Sequence, residues 1–238
     1  SNKSKLNEEK GWWFTIQETD INNDGKKDYL IGNIGGNIKH KVSRDKTLRV
    51  YADDFDNNGS LDVVLSQEYN GIFVPSRGKE CSTQQMPFIS QKIPTFSEFA
   101  SSSLEDIYGE KIYTSYQKEV NQFKSILLIN QGNGAFVKSE LPALAQTIPI
   151  LSADEIDFNG DGYQDVIVVG NIYNTEVETP RLDNGYGLVL LSNKIDNYTA
   201  LYPAKTGLYI DGNAKYIKSV DGKILIALNN GEVITFEL

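Results

Sequence analysis

Three stretches of the 238-residue chain place oxygen-bearing side chains at alternate positions of a short loop. They begin DINNDGKKD at Asp20, DFDNNGSLD at Asp54 and DFNGDGYQD at Asp157. Positions one, three, five and nine are Asp20, Asn22, Asp24 and Asp28 in the first, Asp54, Asp56, Asn58 and Asp62 in the second, and Asp157, Asn159, Asp161 and Asp165 in the third. Position six is Gly25, Gly59 and Gly162. This is the donor set of a hard divalent cation. Ca²⁺ takes six to eight oxygens at about 2.3–2.6 Å, and a glycine at position six permits the turn that wraps the chain around the ion. Position seven (Lys26, Ser60, Tyr163) needs to offer only its backbone carbonyl, which explains its variable side chain. Mg²⁺ demands octahedral geometry and keeps its waters, so it suits the pattern less well. A single Asx-rich DG stretch is an ordinary turn. Three in one register are a repeat, and each crowds carboxylates that repel by about 1 kcal/mol or more per close pair without a cation.

The elements around these loops are strands. Position twelve is Ile31, Leu65 and Val168, where an EF-hand needs Glu, and β-branched runs (YLIG, VVLS, VIVVG) follow the ninth-position Asp. WWFTIQETDI leads into the first loop, LRVYADDF into the second and PILSADEIDF into the third. GLVLLSN and YTALY continue the third unit. KSILLINQ and AFVKSEL, joined through Gly132–Gly134, form a hairpin, and AKYIKSV, KILIALNN and EVITFEL close the chain. The Asp221-Gly222 turn is a plain hairpin signal where a metal loop could have stood. Short strands at regular spacing with Gly/Asn turns predict an all-β chain, and units of four strands repeated along it predict propeller blades. About four to five blade-like units are present. The interval from Asp20 to Asp54 is short for a whole blade, which favours part of a larger ring.

The loops followed by strands resemble the FG-GAP/VCBS repeat family of integrin-alpha-type β-propellers. GWWF…DINNDGKKDYLIGNIGGN, YADDFDNNGSLDVVLS and QQMPF are similar to the C-terminal parts of large secreted repeat proteins of Bacteroidetes. The resemblance spans Gly11 to Leu238 and implies up to three Ca²⁺ sites on the twelve side chains named above, each between two strands of a blade. Asn stands for the commoner Asp at Asn22, Asn58 and Asn159, lowering charge while keeping an oxygen. The FG and GAP signatures themselves are weak. The resemblance also implies an extracellular or cell-surface place, outer-membrane-associated or periplasmic. Residues 1–10 are expected to be a polar leader or a remnant of cloning, and 11–238 the repeat domain.

Two stretches interrupt the repeat. Residues 75–122 carry helix signals: Thr95 with Glu98 predicts a capping box, and Phe96, Phe99 and Leu104 an apolar stripe. The favoured reading is a cap over the ring with local aromatic core; the other is a recognition element. The long loop 173–186 brings Glu176, Glu178, Arg181 and Tyr186, which suit a sugar or partner surface, or a plain polar hairpin loop. Of Trp12 and Trp13, one is expected in the core. His40, the Arg77/Lys79 pair and Cys81 are expected to be passive.

Composition narrows the function. A net charge of −9 argues against nucleic acid and anionic membrane as the main partner. No apolar run is long enough to span a membrane. One Cys excludes an internal disulfide framework, and one His removes most zinc and triad chemistry. No HExxH, GxSxG, P-loop or dinucleotide fingerprint occurs. The sequence therefore favours a non-catalytic, calcium-stabilised binding module whose ligand is a protein or a glycan. It would associate through the open ends of the propeller or with the rest of a longer parent chain. A carbohydrate-active lyase or hydrolase using Glu176, Arg181 and Tyr186 is the first alternative, and a structural spacer of a larger surface protein the second.

Overall fold

The computed structural model describes residues 6–176 and 178–237. Half of the polar leader (residues 1–5), Val177 in the long loop and Leu238 lie outside the described residues. The strands are β1 (Thr15–Thr19), β2 (Asp28–Gly32), β3 (Leu48–Asp53), β4 (Asp62–Tyr69), β5 (Ile72–Pro75) and β6 (Tyr116–Val120). They continue as β7 (Ile126–Gly132), β8 (Ala135–Glu140), β9 (Ser152–Ile156), β10 (Asp165–Val169), β11 (Leu188–Ser192) and β12 (Tyr198–Leu201). The last are β13 (Ala214–Val220), β14 (Lys223–Leu228) and β15 (Val233–Glu237). Five short helices lie between β5 and β6: α1 (Lys79–Gln85), α2 (Phe88–Lys92), α3 (Phe96–Ser101), α4 (Leu104–Tyr108) and α5 (Lys111–Thr114). A sixth, α6 (Pro203–Thr206), follows β12. The chain is mostly β, in four small antiparallel sheets, and divides into two compact units: residues 1–39 with 123–238, and residues 40–122.

The larger unit holds three sheets, ordered β1-β2-β7-β8, β12-β11-β10-β9 and β13-β14-β15. Strands β1, β9 and β13 are each at the edge of their sheet, and β9 packs against both β1 and β13. Alternation decides which face each strand buries. Leu30 of β2 and Leu127 of β7 pair in register and join a core with Val166, Val168, Leu188 and Leu190. Ile167, Val169 and Val189 point the other way into a second core with Ile217, Ile224 and Ile226. Strand β10 is buried on both faces, which is why it reads DVIVV without alternation. Side chains pin the sheets together: Lys218 Nζ donates to Asp154 at 2.7 Å, Ser192 Oγ to the Ile21 carbonyl at 2.7 Å, and the Thr19 and Tyr198 hydroxyls meet at 3.3 Å.

The smaller unit is one sheet, β5-β4-β3-β6, with the helices packed on it. Tyr51, Phe55 and Val64 of the strands and their loop share a core with Met86, Ile89, Phe99, Leu104, Ile107 and Ile112. The capping box at Thr95–Glu98 is present, and a second stands at Ser103–Asp106. The expected stripe holds for Phe99 and Leu104. Phe96 is exposed, with the Lys79 ammonium 5.5 Å from its ring centroid. The stretch 75–122 is helical only to Thr114; Tyr116–Val120 is a strand that pairs with β3. Among the described residues no helix is long and apolar enough to cross a membrane.

Close approach of backbones fixes Gly170, at the end of β10. A Cβ there would lie 2.1 Å from the Pro149 carbonyl oxygen and 2.8 Å from the Leu151 amide. Gly170→Ala is expected to destabilise by about 1–3 kcal/mol or more. Gly36→Ala, where the nearest atom is at 3.6 Å, stays within about 0.5 kcal/mol of wild type. Denaturant melts of the two variants check this.

Candidate metal centres and a tyrosine-lined groove

Each of the three acidic loops joins an antiparallel strand pair: β1 to β2, β3 to β4, and β9 to β10. The ninth-position Asp is the first residue of the second strand, and the loop folds by the same bonds each time. The position-one carboxylate accepts the amide of position five (Asp24, Asn58, Asp161) at 2.9–3.0 Å and that of the position-six glycine at 2.9 Å. The position-three oxygen also accepts the position-five amide, and the position-five oxygen accepts the position-seven amide. Gly25, Gly59 and Gly162 have φ of 76°, 86° and 83°. Position four is left-handed too, at Asn23, Asn57 and Gly160. That requirement is written in the sequence as Asn, Asn, Gly, the residues that tolerate αL, a signal beyond the donor pattern itself.

Two further roles were also missed. Position two is apolar in each copy and anchors the loop: Ile21 and Phe55 are buried and Phe158 packs on a core. The position-two amide donates to the ninth-position carboxylate at 3.2, 3.0 and 3.1 Å. That carboxylate is buried, with Asp28 1%, Asp62 4% and Asp165 1% exposed. Its second oxygen accepts the Asn130 amide for Asp28, the Ser192 amide for Asp165, and the Gln85 side chain for Asp62.

The loops differ in how their charge is balanced. In the first, the Lys26 ammonium lies 2.7 Å from Asp24, and in the third Lys194 lies 2.9 Å from Asp161. In the second, position five is neutral Asn58. Lys111 reaches Asp53 at 3.1 Å and the Asp54 carbonyl oxygen instead. There Asp54, Asp56 and Asp62 bring carboxylate oxygens within 4.8 Å of one another, the group of three acidic residues among the described ones that could hold a metal. Asp24 and Asp161 are held below the ordinary aspartate range by their lysines, and Asp54 by the Gly59 amide. Burial pushes Asp28 and Asp165 up, and the neighbouring loop carboxylates add to it.

At the other ends of the strands of the larger unit lies a groove. Segments after β2, before β9, between β10 and β11, and after β12 build it, all on the side away from the acidic loops. A cavity of about 350 Å³ is lined by Asn37, Lys39, Thr147, Arg181, Asp183 and Asn184 among others. A smaller one of about 130 Å³ shares Thr147 and Asn184 and is walled by Tyr186 and Tyr202. Of the residues singled out in the 173–186 loop, Arg181 pairs with Asp183 at 2.7 Å and lies over the Tyr173 ring. Glu176 pairs with Lys39 at 2.8 Å and accepts from Thr179. Tyr186 stacks on Tyr209 at 5.1 Å and 9°. The three therefore have separate partners. Trp12 packs on Phe123, while Trp13 is partly exposed beside an apolar cavity with Phe14 and Ile16. His40 and Cys81 are half-buried.

A scan against protein-family models and a search of curated proteins return no match for the chain.

The pKa directions give an outcome for the metal-free protein. By NMR in EDTA, Asp161 is expected to titrate below and Asp165 above the usual aspartate value of about 4. Lys194→Met should move Asp161 upward. Asp161 contributes stability above its unfolded pKa that is lost as pH falls through its lower folded value. Asp165 has the opposite sign: its folded pKa is the higher, so its burial costs stability at neutral pH and the cost fades on acidification.

Proposed function

We propose that the chain is a calcium-stabilised, non-catalytic binding module of the FG-GAP/VCBS type, working outside the cell or on its surface. One observation carries the reading. Asp54, Asp56 and Asp62 converge within 4.8 Å in a loop whose bonding pattern recurs at Asp20–Asp28 and Asp157–Asp165. The donor set is all oxygen, alternating carboxylate and amide, which suits Ca²⁺ over zinc or copper. The ion would be held by the side chains of positions one, three, five and nine, and by the carbonyl of position seven. What it supplies is positive charge against clustered carboxylates, and so stability. The three sheets of the larger unit are then successive blades with β1, β9 and β13 as inner strands, a reading supported by the contacts of β9 with both β1 and β13. The ligand is a protein or a glycan, and the exposed ends of the sheets meet further blades or a partner.

Ca²⁺ that binds only the folded chain adds about 2.7 kcal/mol per site at a hundredfold excess over its dissociation constant. EDTA is expected to lower the melting temperature and Ca²⁺ to restore it better than Mg²⁺. Asp56→Ala removes two exposed bonds to Asn58 but leaves the Asn58 amide on Asp54 and the Phe55 amide on Asp62. In EDTA it should therefore lose no more than about 1 kcal/mol, while losing a larger part of the calcium shift. Melting indifferent to both ions would sink the metal assignment.

A further inference from the structure

We propose that the groove between residues 179–188 and residues 202–203 binds a neutral oligosaccharide, with Tyr186 as the stacking platform. This rests on the binding-module reading and names the ligand class and the site. The tyrosines carry the first part of the argument. Tyr186, Tyr202 and Tyr209 are 38%, 59% and 58% exposed. What distinguishes them from the other exposed aromatics is that Tyr186 and Tyr202 wall one cavity while Tyr209 stacks on Tyr186. Tyrosine offers a rigid amphipathic face at low entropic cost.

The platform is also held in place. Gly185 and Gly187 flank Tyr186, and neither tolerates a side chain: a Cβ on Gly185 would lie 2.1 Å from the Gly170 carbonyl oxygen, and one on Gly187 2.7 Å from Ile210. Asn171, fully buried, receives the Gly185 amide and donates to the Gly185 and Gly212 carbonyls. The Ile210 amide donates to the Tyr186 carbonyl. A bound ligand therefore meets a preformed surface and little ordering cost.

Charge selects the class. Arg181 is paired with Asp183 and Lys39 with Glu176, so the cationic heads in the groove are already balanced by carboxylates and suit a phosphate or sulfate poorly. What the groove offers beyond that is hydrogen-bonding edges, Asn184, Thr147 and Asn37, beside aromatic faces. A pyranose matches it, with an apolar C–H face for the ring and equatorial hydroxyls for the amides. Asn184 Nδ2 already donates to the Thr147 hydroxyl at 3.2 Å, and Thr147 to the Leu144 carbonyl, which presets the polar wall. A proline-rich peptide would use the tyrosines but brings no hydroxyls to the Asn184 and Asn37 amides.

The test is titration calorimetry with the full chain in Ca²⁺ against cellotetraose, mannotetraose, xylotetraose and β-1,4-galactotetraose, with decaproline as the competing class. At least one sugar is expected to bind saturably. Tyr186→Ala should weaken it about tenfold or more, as removal of a central anchor does. Tyr186→Phe, which keeps the stacking face, should stay within about twofold. Tyr202→Ala, on the opposite wall and well exposed, supplies an independent loss if Tyr186→Ala fails to fold. The proposal is overturned if none of the four sugars binds, if decaproline binds in their place, or if neither folded alanine variant weakens binding. A calcium-dependent melting shift without sugar binding removes the groove and keeps the metal reading. Sugar binding with melting indifferent to Ca²⁺ does the reverse.

Discussion

A buried carboxylate opens the strand that follows each acidic loop, β2, β4 and β10, and much of the local architecture follows from satisfying it. Asp28, Asp62 and Asp165 are almost wholly out of water. An isolated charge in that position would be prohibitive. Each is tolerated because one oxygen takes the position-two amide and the other takes a donor from a neighbouring element. The first bond fixes the loop against its strand. For Asp28 and Asp165 the second ties the loop to the third strand, β7 or β11, through the Asn130 or Ser192 amide. One side chain thus sets both the loop conformation and the position of the next strand. The apolar residue at position two, between these bonds, is driven into a core, where burial is worth about 1.5–3 kcal/mol.

With the loop fold fixed from below, the exposed carboxylates above it are free to differ. The first and third loops carry an aspartate at position five, and each has a lysine beside it, Lys26 or Lys194. The second puts its extra carboxylate at position three and a neutral asparagine at position five, so its charge is concentrated on Asp54, Asp56 and Asp62. A loop already neutralised by an ammonium gives up an ion pair when a cation arrives, although surface pairs of this kind are worth only about 0–1 kcal/mol. The three loops therefore have one backbone and different electrostatic starting points. Nine of the 32 acidic residues sit in them, which makes the net charge of −9 largely a property of the loops.

The sequence carried the strands and loops legibly because both depend on local chemistry. The alternating Asx pattern, the glycine at position six and the β-branched run after position nine are within one turn of each other, and the strand pairs around all three loops form as expected. Pairing across distance was not legible. Strand β7 completes the sheet begun by β1 and β2 after an interval that contains the whole second unit, and no local pattern in KSILLINQ names β2 as its partner. The short spacing from Asp20 to Asp54 was the visible trace of that interruption. The stripe Phe96, Phe99 and Leu104 was drawn as if on one helix, whereas a second capping box at Ser103 starts a new helix at Leu104, and Phe96 stays exposed. Asn171 was silent for a similar reason: a buried asparagine after a strand looks like any turn residue until its partners, Gly185 and Gly212, arrive from other segments.

The separation of the acidic loops from the groove follows from strand direction. In the larger unit β1 and β9 run into acidic loops, and β2 and β10 run out of them, so the far ends of β2 and β10 must lie on the opposite side. The groove segments leave from those far ends. Strand β10 is the shortest connection: Asp165 stands at its first residue and Gly170–Asn171, which hold Gly185 beside Tyr186, follow its last. That strand is buried on both faces and paired on both edges, so it cannot shift without breaking two cores. Interiors packed at this density do not deform continuously. The acidic loop and the tyrosine platform are therefore two ends of one rigid strand: what stabilises the β9–β10 loop stabilises the frame that holds the platform, without either site touching the other.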